Sequence, residues 1–218
     1  MPVLSLFNVR DLFLPKVVGI DPGTKSFGLC GLNDGEVFFE EIIPTSQVLE
    51  APHLIMQILD KHRPLDLVVG PSGFGLPLTQ LSKLKRGELY LTVLVKPSDV
   101  SRKAQLGLKK VLKKLKDSDM DIYILPSVKH LTSVPLHRKI NKIDMGTADK
   151  VCVAALAISE QAKYHSVDYE STSFILAELG FSFNAYLTIE KGQIIDGIGG
   201  SLANIGFLSR GHVDADLV

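Results

Sequence analysis

The sequence predicts an α/β protein: a first lobe in which a three-strand meander leads into alternating helices and strands, followed by the first β-meander of a second, incomplete lobe. Three observations carry this reading. Short apolar runs of strand length alternate with stretches of helical periodicity from residue 16 to residue 163. The 218 residues are 45% hydrophobic and 22% charged, the balance of a chain that buries a sizeable core. A strand, turn and hairpin pattern occurs twice, at 18–37 and again at 175–194.

In order, residues 16–20 read as a buried strand and 27–32 as a second; Asn33-Asp34-Gly35 signals a tight hairpin into a third strand over 36–42. Residues 44–52 form a connection, and HLIMQILDKH (53–62) carries apolar residues at helical spacing. LDLVVG (65–70) is a continuous apolar run, the mark of a strand covered on both faces. PSGFGLP (71–77) reads as a loop at its carboxyl end. After a less regular segment containing LYLTVLV comes a basic amphipathic helix over about 101–116, then a strand in DIYILPSV (121–128). GTADKVCVAALAISEQAK (146–163) is apolar around most of a helix and is expected to be buried. This succession is the order of a ribonuclease-H-like lobe spanning 1–165; YHSVDYES has the polarity of a linker, and 170–218 holds the partial second lobe.

A shift of 157 residues lays the second hairpin on the first without a gap: Asp21 falls on Glu178, Gly23 on Gly180, Gly35 on Gly192 and Val37 on Ile194. One or two such matches arise by chance, but all of them in phase argue for a structural repeat.

Lysine plus arginine and aspartate plus glutamate both number 24, so no global field draws the chain to nucleic acid or anionic lipid. The opening MPVLSLFNVRDLFLP lacks a basic start and a small-residue cleavage site, and no run reaches membrane-spanning length. Two cysteines, Cys30 and Cys152, sit in apolar contexts and read as core residues. A cytoplasmic protein without a membrane partner is expected.

The residues that carry chemistry gather at turns. In Asp21-Pro22-Gly23-Thr24-Lys25-Ser26 a carboxylate ends a strand beside a glycine turn, a setting that suits a hydrated Mg²⁺ ion held through Asp21. Gly23 permits close approach to phosphate oxygens, and Thr24 and Lys25 add donors and charge. Glu178, Gly180 and Ser182 supply a matching set, and two such turns face to face would clamp a polyphosphate. A plain Asp-capped turn is the alternative. In DMGTADK (144–150), Thr147 is a natural N-cap and Asp149 suits the first helical turn; capping explains it, as does a catalytic place for Asp149 or Asp144 opposite Asp21. The loop with Ser72 and Gly73 stands where α/β sites form and reads either as a substrate loop or as turn chemistry. The lysine-rich helix reads as a solvated face, and the histidines lack metal-ligand spacing.

GIDPGTKSFGL resembles the first phosphate motif of the actin, sugar-kinase and heat-shock-chaperone ATPase superfamily; ILAELGFSFNAYL resembles its second, and GTADKVCVAALAI its connecting helix. More closely, DPGTKSFGL, GTADKVCVAAL and ELGFSFNAYLTIEKGQIIDGIGG resemble an archaeal family of butyrate-kinase-like proteins. The resemblance implies two ribonuclease-H-like lobes with ATP and Mg²⁺ between them, a nucleotide and a small carboxylate as partners, and an ATP-dependent kinase activity. Asp21 would then act through metal-bound water, Gly23, Thr24 and Lys25 on phosphates, and Glu178, Gly180 and Ser182 from the opposing turn. Two departures stand out: the second turn carries Glu178 where the superfamily has aspartate, and the superfamily's adenosine motif is not found after GIGGS (197–201). A meander without covering helices would leave an apolar face for a second copy, making a homodimer. The shortened chain is thus expected to be a kinase relative or an inactive form of one. A ribonuclease-H-like nuclease using Asp21, Asp144 and Asp149, and a non-catalytic interaction module, are the rival readings.

Overall fold

A computed structural model describes residues 15–23, 25–85, 87–93, 103–180 and 184–200, with the side chains of 103–106 excepted. Strands β1 (Val17–Pro22), β2 (Ser26–Asn33) and β3 (Glu36–Pro44) form the expected meander. Helices α1 (Thr45–Glu50) and α2 (His53–Lys61) follow, then β4 (Leu67–Val69), β5 (Gly75–Gln80) and α3 (Glu88–Leu91). Helix α4 (Lys103–Lys116), β6 (Ile122–Pro126), α5 (Leu136–Lys139) and α6 (Ala148–His165) complete the first run, and β7 (Phe174–Leu179), β8 (Asn184–Glu190) and β9 (Gln193–Gly199) the second.

The first sheet has the order β3-β2-β1-β4-β6-β5. Strands β4 and β6 run parallel to β1 and to each other, while β5 returns antiparallel along the β6 edge. The expected loop 71–77 is therefore partly a strand. Glycine and proline hid it from the sequence, yet Pro77 is compatible with an edge strand, where a missing N–H breaks no interior ladder. The predicted connection 44–52 likewise contains the short helix α1.

Strands β7, β8 and β9 form a separate antiparallel sheet, and the repeat extends to its details. Adding 157 to the bounds of β1 gives those of β7. Both hairpins turn through two residues of positive φ, Asp34 (52°) and Gly35 (82°) in the first, Lys191 (50°) and Gly192 (70°) in the second, the geometry that matches strand twist. Even the bulge recurs, between Gly31 and Leu32 and between Thr188 and Ile189.

Two cores result. The first gathers Val18, Phe27, Leu29, Ile55, Val68, Leu112, Ile122 and Ile124 between the large sheet and helices α1, α2 and α4. On α4, Val111, Leu112 and Leu115 face this core while Lys110, Lys113 and Lys114 are exposed, the solvated face the sequence suggests. The second joins Val128, Met145 and Ala154 to Leu187, Ile189 and Ile194.

Helix α6 departs from expectation. Ala148, Ala154 and Ala162 are buried, but Leu156 is 62% and Tyr164 83% exposed. Only one of its sides meets the small sheet, so an all-round apolar sequence leaves a face uncovered. Cys152 is exposed for the same reason and is not a core residue; Cys30 is half-buried. Among the described residues no helix is long and apolar enough to cross a membrane.

Candidate functional site

Asp21 is the penultimate residue of β1 and pairs with Gly28 of β2, and Pro22 pairs with Phe27 before the chain turns. A Cβ on Gly23 would stand 2.6 Å from the Ser26 carbonyl oxygen, so glycine is what closes this turn. The Gly23 carbonyl accepts a hydrogen bond from Thr45 Oγ1 at 3.0 Å, and Thr45 N donates to the Lys25 carbonyl at 2.9 Å. The turn is thus fastened to the start of α1, with Lys25 exposed beside it. Thr24 lies outside the described residues.

The segment 144–150 lies across the small sheet. Glu178, Ala185 and Gly199 form one rung of β7, β8 and β9. At the β9 edge Gly199 N donates to the Asp144 carbonyl at 3.3 Å. Cβ atoms built there would meet protein: on Gly197, Met145 O at 2.0 Å; on Gly199 and Gly200, the Asp144 carboxylate at 2.6 and 2.3 Å. The glycines of GIGGS therefore let β9 press against 144–146. At the β7 edge, Lys150 Nζ donates to Glu178 Oε1 at 2.6 Å and to Asp149 Oδ2 at 2.6 Å. Thr147 stands at the N-cap position of α6, yet its hydroxyl donates to Asp149 Oδ1 and its oxygen accepts from no backbone N–H of the helix. Asp144 Oδ1 accepts from Gly146 N at 2.9 Å.

The electrostatics bind these groups into one site. Asp21 keeps solvent contact, but partial desolvation raises its pKa; the negative charge of Asp149 adds to that, Lys150 opposes it and Glu178 adds again. Burial raises Asp144 as well, against the Gly146 hydrogen bond. Burial alone would depress Lys150, but Asp149 and Glu178 outweigh it and hold its ammonium charged. Glu178 Oε2 is buried with no hydrogen-bond partner among the described residues.

Of the residues singled out from sequence, Asp149 and Glu178 meet on Lys150, and both act electrostatically on Asp21; Gly23 and Lys25 follow Asp21 in the chain and Gly180 follows Glu178. Ser182 lies outside the described residues. Ser72 is buried, and its hydroxyl is used internally: it donates to Gly70 O and accepts from Leu125 N, each at 2.9 Å. Gly73, at φ 49°, accepts from Ala148 N at 2.9 Å, so this loop is docked on the start of α6. Sequence reasoning missed Lys150, although it follows Asp149 directly.

A divalent ion fits this donor set in one mode. The described residues contain no group of three His, Cys, Asp or Glu side chains able to hold a metal. Mg²⁺ keeps most of its waters and needs only one or two carboxylates with substrate phosphates, which Asp21 at a solvated strand end can provide.

A family model described as "Protein of unknown function (DUF1464)" matches residues 19–218. No curated protein matches the sequence. Among solved structures the chain is similar to an acetate kinase from Entamoeba histolytica (TM-score 0.54, 14% identity, 93% of this chain and 60% of that one). It is also similar to an acetate kinase from Porphyromonas gingivalis (TM-score 0.52, 14% identity, 94% and 63%) and to a propionate kinase from Francisella tularensis (TM-score 0.52, 10% identity, 94% and 63%). The chain spans about three fifths of the length of these enzymes. At such identities the likeness establishes the fold alone, one shared with these acetate and propionate kinases.

Proposed function

The chain belongs to the family described as "Protein of unknown function (DUF1464)", and from that footing we propose that it binds ATP with Mg²⁺ and is related in activity to the kinases that phosphorylate small carboxylates such as acetate and butyrate. The observation that carries the reading is the ion pair that joins the second repeat to the start of α6: Lys150 holds Glu178 and Asp149 at 2.6 Å each, and all three act electrostatically on Asp21 near the end of the first repeat's opening strand. Phosphoryl transfer asks a protein mainly for position and charge neutralisation, and paired turns supply position. Two lobes, 1–165 and 170–218, would each contribute one turn.

In this reading Gly23, Thr24 and Lys25 hold phosphate oxygens from one side, Gly180 and Ser182 from the other. Asp21 would hold the hydrated ion, which neutralises phosphate charge when bound. Asp149 serves the site by fixing Lys150, since both of its oxygens are engaged. Gly73 keeps the 70–77 loop against α6, where a small substrate would enter, and Ser72 stiffens that loop from within. A contact between copies through the outer face of the small sheet completes the proposal, supported by exposed Ile175 and Leu179.

The nuclease reading is weaker on the same geometry. Two-metal chemistry wants several free converging carboxylates, but Asp149 is spent on Thr147 and Lys150, and Asp144 holds Gly146 N.

Calorimetric titration with MgATP tests the proposal. Millimolar or tighter binding is expected, lost in Asp21→Asn. Absence of binding by the wild-type chain, or equal binding by the variant, would overturn it.

A further inference from the structure

We propose that Lys150 Nζ is a second phosphate-contacting cation of this site, besides Lys25, and that Glu178 is a positioning residue acting through it. The inference rests on the nucleotide reading above and names a group that reading lacks.

Consider first what Lys150 has to offer. An ammonium carries three N–H donors. Among the described residues two are taken, by Asp149 Oδ2 and Glu178 Oε1 at 2.6 Å each, and none is given to a backbone carbonyl. The side chain is only 17% exposed, so its reach is set by those two carboxylates and not by free rotation in water. The ammonium also acts on Asp21, near the end of the first repeat's opening strand.

The charge balance then gives it a task. Asp21, Asp144, Asp149 and Glu178 bring four carboxylates to the site, and Lys150 is the cation that acts on both Asp21 and Asp144. A polyphosphate entering such a place meets repulsion unless a divalent ion travels with it and a fixed cation points at it. Lys150 is already aimed and desolvated, so little rotamer freedom remains to be lost when a phosphate oxygen takes its third donor.

Glu178 completes the argument. Its side chain is one methylene longer than the aspartate that the repeat of Asp21 would lead one to expect, and the structure shows where that length goes: it reaches Lys150. With Oε1 committed there, and Oε2 an anionic oxygen that repels phosphate, Glu178 acts on a phosphate by way of the ammonium it holds.

A double-mutant cycle read by calorimetry, with MgATP and with magnesium tripolyphosphate as probes, tests this. Lys150→Met should weaken both probes about tenfold or more, as loss of a charge-assisted hydrogen bond does. Glu178→Gln alone should weaken them about two- to fivefold. The double variant should bind no more weakly than Lys150→Met, because Glu178 has no other route to the ligand. Lys150→Arg should recover most of the affinity. Removing cation and anion together spares the double variant an unpaired buried charge, and circular dichroism of all four chains checks the fold. If Lys150→Met binds as tightly as wild type while Asp21→Asn does not, this inference falls and the nucleotide reading stands. Additive losses in the double variant would show that Glu178 touches the ligand directly and would also overturn it. Failure of the wild-type chain to bind either probe would overturn both.

Discussion

Asp21 is held at some cost to the folded chain. Its pKa is raised by desolvation and by Asp149, so between the ordinary carboxylate value and the raised one the folded state binds more protons than the unfolded. Stability therefore falls as pH climbs through that window, the reverse of a salt-bridged aspartate. Asp21→Asn is expected to melt above wild type at pH 7, with the difference closing near pH 3, where both states are protonated; thermal denaturation from pH 3 to pH 8 measures it. A variant that melts lower at pH 7 would mean the carboxylate stabilises the fold through Lys150. The same variant should lose ligand, so stability and binding part company at one residue. Asp21 stood out in the sequence because a carboxylate closing an apolar strand two residues before a glycine suits a phosphate turn as well as a capped one. Lys150 was not, because a lysine in a helix's first turn looks solvated until Glu178, 28 residues on, is known to stand beside it.

At the level of strands and helices, the repeat was the most informative thing in the sequence. Apolar phase and two turn glycines were enough to find β7, β8 and β9, because a type of hairpin that demands positive φ leaves its mark in residue choice. Strand β5 left none: Gly75 and Pro77 serve a bulged edge, and the same residues make turns. The covering of α6 was equally hidden, since composition tells how apolar a helix is but not how many neighbours it has. The glycines of β9, which offered no recognised motif in the sequence, turn out to be packing residues. Gly197→Ala is expected to destabilise by about 1–3 kcal/mol in urea denaturation, because the new Cβ meets the Met145 carbonyl at 2.0 Å and backbone cannot yield as a side chain does. Gly19→Ala in β1 is the control: nothing lies within 4 Å of a Cβ there, and the loss of unfolded-state entropy should leave it neutral or slightly more stable. Similar effects at both positions would deny that β9 and 144–146 are pressed together.

Across the whole molecule, the small sheet is buried on one face and open on the other, where Ile175 is 74%, Leu179 72% and Ile198 40% exposed. Exposed apolar residues on one face invite association. Ile175→Thr with Leu179→Thr should leave the melting temperature nearly unchanged, since neither side chain is in the core, and should shift sedimentation toward monomer. Unchanged sedimentation would remove this face from the contact between copies. The inner face has a different consequence. Segment 144–150 grips the sheet at both ends of one rung, by Asp144 on Gly199 and by Lys150 on Glu178. Such a grip is bidentate, in the sense of a chelating ligand: once either end is made, the other closes at high effective concentration. Cutting the Lys150 end would leave the segment held at Asp144, with Ala148 N still on the Gly73 carbonyl and Ala154 still in the second core, so the clasp on Glu178 could open and close again without the helix losing its place.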